Sequence, residues 1–294
     1  MARVSVVIPC FNAARTLPDC LAALRAQASP PLEIIVVDDR STDDSPGIAA
    51  RLGARVLRSD RKLQAGGARA AGVAAASGDA VVFVDADMVL APRWLADARA
   101  ALDRDPTLAA VGGSVEPPGS GNLCEWADYF MSFSAYMPSL PPSKRLFLPT
   151  NGMLVRREPL DGARFRESYG DEDTDFSFQL VDRGFSLLFN PQLRAEHLGW
   201  RGRLRDLARE QRRYAVGFVS GRGRVDHTKR LLALPWIGLV PGFTILKIAQ
   251  VLRRTFRTRR ALTMLIVSLP IVLTMLALRA HYVSSLRHTE EARS

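Results

Sequence analysis

Two short apolar runs that each end in paired carboxylates constrain this chain most: Ile34 to Asp39 reads IIVVDD, and Ala80 to Asp87 reads AVVFVDAD. Unbroken β-branched and aromatic runs of this length fit strands buried on both faces, the mark of a parallel sheet. Carboxylates at the C-terminal edge of such strands stand where open α/β sheets bind ligands. Two such acidic edges imply one cleft that grips a nucleotide and a divalent cation together. For Asp38 and Asp39 a plainer alternative is a strand end feeding the helix cap at Ser41-Thr-Asp-Asp44.

Asp-x-Asp by itself discriminates little. The chain carries it at Asp85/Asp87, Asp103/Asp105, Asp171/Asp173 and Asp173/Asp175. Only Asp85/Asp87 directly follows a buried-strand pattern. Asp103 and Asp105 precede Pro106 and read as a helix end and turn.

Strand and helix patterns alternate through the first hundred residues. Strands are expected at 4–8, 33–37, 55–57 and 80–84, and helices at 13–26, 43–52, 65–76 and 92–102. This spacing predicts right-handed βαβ crossovers and a mostly parallel central sheet with flanking helices. Beyond it the pattern loosens. Residues 108–115 read as a strand broken at Gly112 and Gly113, 122–135 as an aromatic-rich helix, and 138–149 as a Pro-rich mobile loop over the site. A helix over 173–183 stops at Gly184, a strand follows at 186–189, and 204–216 forms a basic helix. Trp126, Tyr129, Phe130 and Phe133 suit core packing, with an acceptor platform as the alternative.

Charge is unevenly spread along the 294 residues and their net +10. Residues 1–198 hold 21 Lys/Arg against 25 Asp/Glu, whereas residues 199–294 hold 19 against 5. The basic part is also the most apolar, which favours an anionic membrane surface over nucleic acid as partner. Two apolar stretches, 231–246 and 261–278, end the chain. The second just reaches spanning length, while Pro235, Gly238, Pro241 and Gly242 interrupt the first, which reads as re-entrant or interfacial. Both lying in the membrane surface is the alternative. Cys10, Cys20 and Cys124 match no metal or disulfide spacing and read as small buried hydrophobes of a reducing compartment. With a strand already at 4–9, no signal peptide is expected and the catalytic part should be cytoplasmic.

In order, VSVVIPCFN (4–12), VVDDRSTDDS (36–45), GGARAAG (66–72), VVFVDAD (81–87) and GDEDTDFSFQL (170–180) resemble glycosyltransferase family 2 over roughly residues 3–220. The resemblance implies a GT-A fold, a nucleotide diphosphate-sugar donor, a divalent cation (Mg²⁺ or Mn²⁺) and inverting transfer to an acceptor hydroxyl. It implies a catalytic domain over 1–225, with a nucleotide-binding half at 1–105 and an acceptor half at 106–225. The basic, hydrophobic, membrane-associated tail is then 226–294. Pro9, Phe11 and Asn12 would lie at the base, with Phe11 stacking on it. Asp39 would accept from the base beside Asp38, and Arg69 would face ribose or phosphate. Asp87 would reach the cation and diphosphate, and Asp85 the ribose or the metal through water. Asp173 matches the catalytic base, with Glu172, Asn151 and Gly152 on the acceptor side. His197 matches a further metal ligand, or else a packed polar residue.

Chemistry agrees with this assignment. Mg²⁺ and Mn²⁺ prefer oxygen ligands shared with phosphates and water. Inversion needs one carboxylate opposite the leaving group to take the acceptor's proton, and the charges of Asp171, Glu172 and Asp175 should raise the pKa of Asp173 towards a useful range. Gln211-Arg-Arg-Tyr214 is similar to the Gln-x-x-Arg-Trp signature of processive synthases, but shorter by one residue and with Tyr for Trp. The basic apolar tail favours a lipid-linked acceptor at the cell membrane. Two other classes compete: a nucleotidyltransferase, disfavoured by Pro9-Cys-Phe-Asn12 where a Gly-rich loop with Lys or Arg would stand, and a membrane-anchored sugar-nucleotide binder without turnover.

Overall fold

A computed structural model describes residues 3–167, 172–220, 253 and 259–291. Two compact units emerge from it. The first comprises Met1–Glu116, Leu140–Ser168 and Glu172–Gly199; the second comprises Pro117–Ser139, Tyr169–Asp171 and Trp200–Ser294.

The first unit begins with the alternation expected: β1 (Val4–Cys10), α1 (Leu17–Arg25), β2 (Glu33–Asp38), α2 (Ser45–Arg51), β3 (Arg55–Arg58), α3 (Gln64–Ala75) and β4 (Ala80–Phe83). The four strands lie in the order β3-β2-β1-β4, and every pairing among them is parallel. Val6, Val7, Ile8, Val36, Val81 and Val82 are all fully buried, as strands covered on both faces require. Register sets Cys10 beside Asp38 and Val7 beside Phe83. The tips of β2 and β4 therefore leave the sheet at one edge, on either side of β1.

The rest of the sheet is mixed. β5 (Met88–Leu90), α4 (Trp94–Arg104) and β6 (Leu108–Val115) follow; α5 (Leu123–Ser132) belongs to the second unit. Then come β7 (Ser143–Arg145), β8 (Met153–Arg156), the single turn α6 (Arg157–Leu160), α7 (Glu172–Asp182) and β9 (Ser186–His197). Beyond β4 the order continues β8-β6-β9-β5, with β7 also on β9. β8 is antiparallel to both β4 and β6, whereas β6 and β9 are parallel.

Three expectations change here. The strand predicted at 186–189 runs to His197, through Pro191. Its partner β6 is continuous, not broken, but its register shifts between Gly112 and Ser114, opposite Phe189 and Arg194. The extra residues of β9 bulge there and absorb the proline that cannot donate to the ladder. Gly113 makes room for this bulge: a Cβ on it would lie 1.9 Å from the Leu193 carbonyl oxygen. The Pro-rich segment expected to be a mobile loop is tied down instead. Its β7 pairs with β9, and the buried Leu148 N–H donates to Ser177 Oγ at 3.2 Å.

α7 is fastened to the sheet by aromatic packing. Phe165 and Phe176 stack at 4.1 Å, and both meet Phe83 of β4 edge-on at 4.9 and 5.9 Å. Leu180, one turn past Phe176, is buried as well. Asp173, three residues before Phe176, shares that inward helix face.

In the second unit α5 packs with α8 (Leu204–Ser220) and α9 (Arg259–Glu291). Trp126, Tyr129 and Phe130 are buried, and Trp200 meets Tyr129 and Phe133 edge-on, so these aromatics pack with one another. Arg201 bridges the buried carboxylates of Asp128 and Glu210 at 3.0 and 2.9 Å, joining α5 to α8. Removing it would leave Asp128 buried without its cation, while Glu210 keeps Arg213 at 3.5 Å. The apolar stretch 231–246 lies outside the described residues; 261–278 lies within α9.

Candidate active site

Three loops at the C-terminal edge of β1, β2 and β3 form one end of the site. Each holds a non-glycine residue at positive φ: Asn12 at 51°, Arg40 at 65° and Gln64 at 62°. Such conformations persist only where surrounding bonds enforce them, and they gather at functional loops. Here the bonds are visible. Asn12 Oδ1 accepts from the Thr42 backbone N–H at 2.8 Å, and the Asn12 N–H donates to Ser41 Oγ at 2.9 Å. Asp39 accepts from the N–H groups of Leu63 and Gln64 at 2.6 and 3.1 Å. Asp38 is buried, accepts from the Ser41 N–H and stands 3.5 Å from Arg58.

Phe11 follows Pro9 and Cys10 at the tip of β1 with half its surface exposed, 52 %. Lys62 was not singled out from the sequence. Its ammonium lies 3.1 Å above the Phe11 ring centroid, 3.0 Å from Asp39 Oδ2, and donates to the Asp39 carbonyl. A cation over an aromatic face beside a carboxylate is doubly held. No periodicity marks residues 59–63, so nothing in the sequence pairs Lys62 with a ring 51 positions earlier.

The other end is built around Arg69, which is only 3 % exposed. It was expected to face ribose or phosphate. It instead gives one Nη to Asp85 Oδ1 at 2.7 Å and the other to Glu172 Oε1 at 2.8 Å, joining the tip of β4 to the first turn of α7. Burial opposes its charge, yet the two carboxylates together raise its pKa. Its Nε has no hydrogen-bond partner among the described residues. Beneath, the Cys20 thiol donates to the Asp85 carbonyl at 3.6 Å. Burial pushes that thiol's pKa far up, so it packs and does not react.

Asp173 is half-buried beside this bridge. Its pKa is pushed up to about 7, first by burial and then by the charge of Glu172, with Arg69 pulling the other way. The cause expected from sequence is thus corrected: loss of water leads, and like charge comes second. Asp175 turns aside to Arg166 at 3.3 Å, and Asp171 lies outside the described residues. Asp85 is raised as well, by burial against the pull of Arg69.

The tip of β4 passes into β5, a three-residue strand too short to read from sequence. β5 pairs with the end of β9, setting Met88 opposite His197. As a result His197 Nε2 lies 3.3 Å from Asp87 Oδ2. Gly199 keeps the space beside them open, since a Cβ there would meet Asp87 Oδ2 at 2.1 Å. Among the described residues no group of three or more His, Cys, Asp or Glu side chains forms a metal cage. One carboxylate and one imidazole nevertheless fit a divalent cation that keeps the rest of its shell for water and phosphate oxygens. Asn151 and Gly152 precede β8, with Asn151 buried.

A parallel β3-β2-β1-β4 half, a mixed continuation that begins with antiparallel β8, and carboxylates at the common edge define a GT-A glycosyltransferase fold. Residues 5–162 match the sequence model of Glycosyl transferase family 2, more than half of the chain. The chain belongs to that family. It is similar to glycosyltransferase AglE of Haloferax volcanii, 28 % identical over 63 % of this chain and 64 % of that protein. It is also similar to the pre-mycofactocin glycosyltransferase of Mycobacterium tuberculosis, 28 % identical over 69 % of this chain and 44 % of that one. The chain spans less than two thirds of the length of these relatives. Among solved structures, mannosyltransferase PcManGT of Pyrobaculum calidifontis, in complex with GDP-Man and Mn²⁺, superposes with a TM-score of 0.65 at 19 % identity, covering 96 % of this chain and 87 % of that one. GalNAc-T7 with UDP, GalNAc and Mn²⁺ gives 0.55 at 18 %, covering 78 % and 53 %. At such identities these two likenesses speak for the fold.

Proposed function

We propose that this glycosyltransferase moves one sugar, with inversion, from a nucleotide diphosphate-sugar to an acceptor hydroxyl, assisted by Mg²⁺ or Mn²⁺. The observation that carries the reading is the Arg69 bridge. It ties the donor-side carboxylate Asp85 to the turn that bears Asp173, a carboxylate with its pKa near neutrality. The GDP-Man and Mn²⁺ held by PcManGT, and the UDP, GalNAc and Mn²⁺ held by GalNAc-T7, support the same donor class and cation.

In this reading Pro9, Phe11 and Asn12 seat the base, Phe11 by stacking, and Asp38 and Asp39 hold the loops that shape its seat. Asp87 and His197 would hold the cation, which when bound supplies Lewis-acid neutralisation of the diphosphate leaving group. Arg69 pairs with Asp85 and opposes the burial that raises its pKa. Asp173 takes the acceptor's proton while the acceptor oxygen bonds to the anomeric carbon and the carbon–oxygen bond to the diphosphate breaks. Asn151 and Gly152 line the acceptor side, and Glu172 acts there by fixing Arg69. We read residues 1–225 as the catalytic domain on the cytoplasmic side of the cell membrane, and 226–294 as the membrane-facing tail. That tail favours a lipid-linked acceptor.

Asp173→Asn tests the base. Turnover should fall by about 10²-fold or more, with donor binding intact. Full turnover by the variant would remove the role. A wild-type chain that binds nucleotide sugars yet never turns over would favour the membrane-anchored binder.

A further inference from the structure

Arg259–Leu278 within α9 is long and apolar enough to cross a bilayer by length and composition. How it packs argues for another arrangement. Ala261, Leu265, Ser268, Val272 and Met275 are buried, at intervals of four, three, four and three residues. That is one continuous stripe, a coiled-coil-like seam, and α9 spends it on α5 and α8. α8 exposes Arg205, Arg209, Arg212 and Arg213. Arg205, Arg209 and Arg213 pair with Asp206 or Glu210 of the same helix, and the outward face stays exposed and charged. Such a face does not enter hydrocarbon, so a neighbour packed along it is held at the same level.

The opposite stripe of α9 is exposed and apolar: Ile266, Val267, Pro270, Leu273 and Ala277, with Ile266 60 % exposed. Two threonines share this face, and both hydroxyls are satisfied within the helix. Thr263 donates to the Arg259 carbonyl at 3.1 Å, and Thr274 to the Pro270 carbonyl at 2.8 Å. The stripe therefore asks nothing of water. Basic residues stand at both ends of the apolar stretch: Arg253, Arg254, Arg257, Arg259 and Arg260 before it, and Arg279, Arg287 and Arg293 after it, against Glu290 and Glu291. A spanning helix places one end away from the cytoplasmic leaflet, whereas a helix lying flat brings both ends to anionic headgroups.

We propose that α9 is an in-plane anchor, which seats its Ile266–Ala277 stripe in the headgroup–acyl boundary of an anionic bilayer without crossing it. This rests on the membrane part of the function above and specifies its geometry. The test uses the full chain with Cys124→Ser, since Cys10 and Cys20 are buried. A single cysteine, Ile266→Cys, Leu273→Cys or Ala277→Cys, carries an environment-sensitive fluorophore, and quenching is read with lipids spin-labelled at known depths. Positions 266 and 277 are about 16 Å apart along a helix axis. In vesicles containing phosphatidylglycerol all three should brighten and report one shallow depth. High salt should weaken binding roughly tenfold or more, as screening of several arginines requires. A depth that grows from 266 to 277 would overturn the proposal in favour of a span. Unresponsive probes would overturn it too, and would mean that protein, such as residues 231–246, covers the stripe. Equal binding to neutral vesicles would overturn the anionic partner. None of these readouts needs donor or turnover, so they fail separately from the glycosyl-transfer reading.

Discussion

Asp173 sits where burial and the Glu172 charge hold its pKa at about 7, far above the ordinary 3.8 of an aspartate. A base must be ionised to work, so kcat/KM should fall with decreasing pH through about 7, and Asp173→Glu should move that limb. The same shift has a cost. The folded protein binds this proton more tightly than the unfolded chain, so stability declines as pH rises from about 4 through 7. Asp173→Asn should accordingly raise Tm relative to wild type at pH 8 and leave it unchanged at pH 4. Arg69 is the opposite case, a buried cation with two carboxylate partners. Arg69→Met takes the guanidinium away from both Asp85 and the buried Glu172 and should cost about 3 kcal/mol in urea unfolding. Asp39, Asp85, Asp87 and Asp173 were legible as candidates because each follows an apolar run or opens a patterned helix. Lys62 was not, because its partners Phe11 and Asp39 come from other strands.

Among elements, the contrast lies between the first four strands and the later ones. β1 to β4 declare themselves by buried runs at regular intervals. β5, β7 and β8 have three or four residues each and exist because β9, β4 and β6 supply their hydrogen bonds. β9 itself was read only to Phe189, since Asn190-Pro191 looks like a turn. The bulge over Gly113 is what lets the strand continue to His197. Gly113→Ala should therefore cost roughly 1–3 kcal/mol by pressing on the Leu193 backbone. Because β9 also carries His197 to Asp87, the same variant should raise the cation concentration needed for half-maximal activity. Equilibrium unfolding and a Mn²⁺ titration would check the two effects separately.

For the whole molecule, the proposed donor and cation should act as one ligand. Thermal shifts measured after chelation should be small with a nucleotide diphosphate alone and larger once Mn²⁺ or Mg²⁺ is restored. At a hundredfold excess over Kd a bound donor adds about 2.7 kcal/mol. A shift indifferent to cation would count against the roles of Asp87 and His197. The sequence alone determined the α/β class, the parallel N-terminal half, the family and the carboxylates, because buried strands and their acidic tips are local patterns of neighbouring residues. Tertiary structure decided that Arg69 joins Asp85 to Glu172, that Lys62 covers Phe11, that His197 meets Asp87, and that α9 spends one stripe on α5 and α8. Those are pairings between distant segments, and only packing and desolvation select them.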